Sequence, residues 1–193
     1  MEEQPYPKRH WTAAMNRHWE HDRKATAQYE RADAALTKAK READKLMARF
    51  GPNHEDSKAA TRKVQAAQQK ADSVVHELGH EIEDQPGVKE ATAAFLKRRC
   101  GKEKATRIRD VYPDDVEIPQ SIRGRKDEFD RYFEGTDAYY VGRKYKGGST
   151  EIISMGLQAV YNDPAGLAKA DPDYFDFIVD ILAGKHNERV VSG

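Results

Sequence analysis

Between Lys8 and Phe50 the chain contains neither glycine nor proline, and Ala25, Tyr29, Ala32, Leu36, Ala39, Ala43, Leu46 and Phe50 recur there at alternating intervals of four and three residues. That rhythm draws one apolar stripe along a helix and is incompatible with a strand, whose period is two. Gly51-Pro52-Asn53 ends it, because glycine accepts a left-handed cap and proline cannot continue a helix. A second seam follows at Ala60, Val64, Ala67, Ala71, Val74 and Leu78, with Asp56 or Ser57 as a fair N-cap and Pro86-Gly87 as its stop. Two seams joined by a turn of about six residues predict an antiparallel helical hairpin. Its many alanines are expected to let the two backbones approach closely.

Composition narrows the alternatives. The hydrophobic set is 38%, charged residues are 34% and mean hydropathy is −0.93, too polar for a membrane protein. Lys+Arg and Asp+Glu are 33 each, which argues against a nucleic-acid coat, a polybasic membrane binder or disorder driven by net charge. Much of this charge has an address: residues 25–84 hold ten basic and eleven acidic groups, the balanced outer face of a hairpin. The lone Cys100 excludes an internal disulfide and suits a reducing compartment. MEEQPYPKRHW lacks an apolar core, so no secretory signal is expected.

The strongest chemical motif closes the second seam. Residues 74–83 read VVHELGHEIE, in which His76-Glu77-Leu78-Gly79-His80 is an HExxH match. On a helix, positions i and i+4 share a face, so His76 and His80 can offer two imidazoles to one metal. Glu77 beside them suits a general base acting on water. Val74, Leu78 and Ile82 should point away into the core, and Gly79 should keep the surface low for an extended substrate. With 7 histidines, a chance match is expected in roughly 2% of chains of this composition.

A catalytic zinc needs a third protein ligand and an open position. After His80 the chain reads EIEDQPGVKE, without the glycine and third histidine of a metzincin. Glu151, in STEIISMGLQAVYND, is expected in the first turn of a helix capped by Ser149 or Thr150, with Thr150 able to orient it. Asp137 is the alternative, since GTDAYYVG resembles the GTxDxxYG signature of the aspzincins, one residue short before the Asp and with Val141 before the glycine. Glu151 is favoured, because a ligand on a second crossing helix resembles the gluzincin arrangement. His186 or a solvent-completed site also stays open. Tyr145 and Tyr140 are candidates to steady an oxyanion, Tyr145 first for its proximity to Glu151.

Elsewhere, residues 88–99 predict a short helix. Residues 97–109 hold seven basic groups against one acidic, a solvated helix end or a patch for nucleic acid or an acidic partner. Residues 110–122 read as loop, Phe129, Tyr132 and Phe133 as core aromatics, and 138–145 as a strand with a bulge or turn at Gly142. A helix over 150–161 precedes two cap-and-proline devices, Asn162-Asp163-Pro164 and Asp171-Pro172, and Gly184 closes the final helix.

VVHELGHEIE, YVGRKYKGGSTEIISMGLQAVYNDP and DPDYFDFIVDIL together resemble metallopeptidase-like proteins of tailed bacteriophages and prophages, related segments of which occur in phage minor head or head-morphogenesis proteins. The resemblance covers about residues 72–184 and omits the amino-terminal arm. It implies zinc on His76, His80 and Glu151, Glu77 as catalytic base, and residence in a bacterial host cytoplasm or virion. The expected architecture is mainly α: a helical arm over 1–56, a zincin-like domain over 57–184 with one short β hairpin, and a flexible tail over 185–193. The expected function is zinc-dependent peptide hydrolysis, with a peptide or protein substrate. The competing class is a non-catalytic head-assembly component with a structural zinc, whose partners would be phage structural proteins or a second copy bound through the amino-terminal helix. Residues 8–24, with Trp11, His18, Trp19 and His21, should run past the metal end of the hairpin.

Overall fold

The computed structural model describes residues 23–101, 103–115 and 119–185. Residues 8–22, the 185–193 tail beyond Lys185, and His186 therefore lie outside the described residues. The element order is α1 (Arg23–Phe50), α2 (Glu55–Glu83), α3 (Val88–Cys100), β1 (Thr106–Arg107), α4 (Ile108–Val111), β2 (Arg123–Gly124), a 3-10 turn (Asp127–Arg131), α5 (Gly135–Val141), α6 (Ile152–Asn162), α7 (Pro164–Ala170) and α8 (Pro172–Leu182). The protein is mainly α, with one two-stranded antiparallel sheet among the described residues, pairing Thr106 with Gly124 and Arg107 with Arg123. No described helix is long and apolar enough to cross a membrane. The chain divides into two compact units inside α2, after Leu78, so the expected boundary at residue 56 falls within the first of them.

In the first unit, Ala32, Leu36 and Ala43, the middle of the first predicted seam, are buried in α1, and Ala60, Ala71 and Leu78 of the second seam are buried in α2, with Val64, Ala67 and Val74 half-buried between them. Gly51, at φ +81°, donates its N–H to the Met47 carbonyl and caps α1. The α2 start corrects the sequence reading by two residues. His54 is the cap: its carbonyl accepts from Lys58 N at 3.0 Å and its Nδ1 from Asp56 N at 3.3 Å. An imidazole nitrogen serves here as the acceptor that Asp56 or Ser57 would supply. Lys63 of α2 pairs across the hairpin with Glu42 of α1 at 3.7 Å, both exposed. The alanines do not close the hairpin fully, since a groove of about 160 Å³ lined by Ala35, Ala39 and Ala60 remains between the helices.

The second unit is built on aromatics and two capped helices. Tyr174 of α8 is fully buried among Phe95, Phe129 and Phe133, and its hydroxyl donates to the Ile152 carbonyl at 2.5 Å. Asp163 accepts from Gly166 N and Asp171 from Tyr174 N, each with proline at the first helical position, as the two predicted devices require. Phe129 and Phe133 are core and Tyr132 is half-buried. Residues 97–109 are not simply a solvated end. Arg99 forms a bidentate pair with buried Asp171 at 2.9 and 2.7 Å, and Arg98 pairs with Asp173.

The predicted strand over 138–145 is incorrect. Residues 135–141 form α5, because Ala138 and Val141, three apart, are the buried pair, a helical spacing that the aromatic content obscured. A single antiparallel bridge, Lys144 to Thr150, follows, with Tyr145 N bonded to the Ser149 carbonyl. It brings the chain back directly before α6.

Candidate metal centre

The last two turns of α2 carry His76 and His80 on one face, both half-buried. Glu77, the next residue after His76, is exposed. His76, His80 and Glu151 each offer one ligand atom, and these atoms lie within 4.8 Å of one another. The His80 Nε2 to Glu151 Oε2 distance is 3.4 Å. Ligand bonds of ~2.0–2.1 Å at a tetrahedral angle separate two ligand atoms by roughly 3.3 Å. Two imidazoles and a carboxylate at this spacing therefore form a set that could hold a metal ion. Asp137 sits exposed in α5 and is not among the converging groups.

Gly79 brings the carboxylate there. A Cβ on Gly79 would stand 2.3 Å from Ser154 Cα and 2.7 Å from Ser154 N, so α2 and α6 cross backbone to backbone. Gly79 is thus buried against α6, and the expectation that it keeps a substrate surface low is replaced by a packing role. Within the apolar stripe Leu78 and Ile82 are fully buried, but Val75 takes the place expected of Val74, which is half-buried.

Glu151 is fully buried and stands at the N-cap of α6, one position ahead of the expected first turn. Ser154 Oγ donates to its Oε2 at 2.7 Å, and the Tyr145 hydroxyl donates to its Oε1. Burial, reinforced by the bond to Glu151, pushes the Tyr145 phenol well above its usual range, so it stays protonated and donating. Burial likewise raises Tyr140. The Arg143 guanidinium lies 4.1 Å from the Tyr145 ring centre and 5.5 Å from that of Tyr140, bonding the Tyr140 hydroxyl at 3.4 Å. With its proton engaged on Glu151, Tyr145 acts in this arrangement as an orienting group for the carboxylate.

Thr150 does not orient Glu151 directly. Its N–H donates to both oxygens of buried Glu83, at 3.0 and 2.9 Å, and its hydroxyl donates to Oε1 at 2.6 Å. Burial raises the Glu83 carboxyl above its ordinary value, against the lowering effect of the Thr150 bonds. The α2 terminus thereby grips the residue preceding the third candidate ligand.

Sequence reasoning overlooked Glu83 and Ser154. Both carry a helical signal: Glu83 lies three residues after His80 and seven after His76, and Ser154 three after Glu151, each spacing returning to the same face. Comparison with protein-family models, curated proteins and solved structures finds no match to this chain.

Proposed function

We propose that the chain is a zinc-dependent peptidase of the HExxH type, in which His76, His80 and Glu151 hold the ion. The convergence of two imidazoles and one buried carboxylate carries this reading. Among the described residues the cluster has three ligands, the number catalytic zinc sites use, whereas structural sites close with four. Zinc bound there supplies a Lewis acid and lowers the pKa of water toward ~7. Glu77, exposed beside the pair, takes the proton of the attacking water and passes it to the leaving amine. Ser154 and Tyr145 hold the two Glu151 oxygens, which fixes the carboxylate before the ion arrives.

The experiment is proteolysis of casein and of phage head proteins by zinc-loaded protein and by Glu77→Gln. Cleavage by the parent, lost in a variant that retains zinc, is the expected result. Equal cleavage by both removes Glu77 as base. Zinc retained by both with no cleavage at all would instead favour a structural ion in a head-assembly component.

A further inference from the structure

The described basic groups of residues 97–109 do not act as one patch. Arg98 and Arg99 are consumed by Asp173 and Asp171, and Arg107 pairs with Asp110 at 3.8 Å. Lys97 instead lines a groove of about 420 Å³ beside α3, which Arg125 and Lys144 enter from distant parts of the sequence. None of these three cations has a carboxylate within 4.0 Å among the described residues. Arg125 instead donates Nε to the Glu103 carbonyl at 3.0 Å, and the Glu103 carboxylate accepts from Lys126 N at 3.2 Å. Among the described residues the groove therefore presents three cations against one carboxylate, Glu103, with Ala93, Ala94 and Leu96 as its apolar lining. Through its backbone, Lys144 also bridges Thr150, the residue before Glu151.

We propose that this groove docks an acidic segment of the polypeptide substrate, flanking the bond to be cut. The proposal rests on the peptidase reading for its consequence, although docking itself needs no turnover. Charge complementarity selects an anionic occupant, because three cations sharing a shallow apolar groove repel one another until an anion enters. A polypeptide fits better than a nucleic acid. The lining holds no aromatic side chain on which a base could stack. Aspartate and glutamate side chains can reach separate cations while their stems lie on the alanines.

The test is fluorescence anisotropy on the full zinc-loaded chain carrying Glu77→Gln. The probes are a labelled Glu-rich peptide, its Gln counterpart and a single-stranded oligonucleotide of equal charge. The Glu-rich peptide should bind about tenfold more tightly than the Gln form, as for a few screened surface charge contacts. Lys97→Gln with Lys144→Gln, both exposed and safe for folding, should remove most of that preference, and about 1 M salt should abolish it. Equal binding of the two peptides overturns the proposal, as does an unchanged preference in the double variant. So does tighter binding of the oligonucleotide released by the same substitutions. Preferred docking of the acidic peptide with no cleavage by the parent protein would support the groove and refute the peptidase. Cleavage of that peptide with a KM unaltered by the double variant would refute the groove alone.

Discussion

Gly79→Ala is the substitution in which packing and metal chemistry can be separated. The added Cβ would meet Ser154 Cα at 2.3 Å, Ser154 N at 2.7 Å and the Ile153 carbonyl carbon at 3.0 Å. All three are backbone atoms, so no side chain can turn aside. Because real Cβ contacts essentially never fall below 3.0 Å, the start of α6 must withdraw from α2 by at least the 0.7 Å shortfall between 2.3 and 3.0 Å. Metal–ligand distances tolerate only ~0.2 Å. The displacement carries Glu151 and Ser154 away from the histidines by several times that margin. Stability responds less, because alanine gains about 1 kcal/mol of helix propensity against an overpacking cost of about 1–3 kcal/mol. The variant should therefore be between neutral and ~2 kcal/mol less stable while losing about 10–100-fold in zinc affinity. Zinc titration against a chromophoric chelator, beside urea unfolding of the metal-free protein, measures both. Unchanged zinc affinity with unchanged or higher stability would refute the close crossing and the positioning argument built on it.

Other outcomes follow from particular contacts. Ser154→Ala should weaken zinc binding about tenfold, since a lost outer hydrogen bond typically costs that much, and chelator competition reads it directly. Arg99→Met leaves Asp171 buried without its partner and should cost about 3–5 kcal/mol in urea unfolding; a cost under about 1 kcal/mol would mean that the pair is not as buried as described. Glu83 supplies a pH signature. Its carboxyl is raised above the ordinary 4.5, so the folded state holds its proton more firmly than the unfolded chain. Stability from that proton is full below pH 4.5 and is lost as pH rises through the higher folded value. The metal-free parent should thus lose stability over that window relative to Glu83→Gln, and parallel urea midpoints across it would contradict the assignment.

What was legible in the sequence was whatever repeats or sits locally. The 4-3 seams announced α1 and α2, the Asp-Pro pairs announced α7 and α8, and HExxH announced two imidazoles on one helical face. Glu151 was reachable because it stands at a recognisable helix start. The failures have a common cause in long-range partnership. Arg99 and Asp171 are 72 residues apart and Glu83 and Thr150 are 67, so neither residue's purpose is written beside it. Gly79 shows the same thing. Its local reading was an open surface, yet the atom it must avoid belongs to Ser154 on another helix. The strand expected at 138–145 failed differently, because Tyr-Tyr-Val suggests a strand by composition while burial of Ala138 and Val141 follows a helix.

The most direct measurement is a crystal structure of zinc-loaded protein with anomalous data at the zinc edge. One ion is expected within about 2.0–2.2 Å of His76, His80 and Glu151, with Ser154 and Tyr145 still on the Glu151 carboxylate. An ion ligated by Asp137, or a protein that takes up no zinc while the His76–His80–Glu151 cluster is intact, would contradict it.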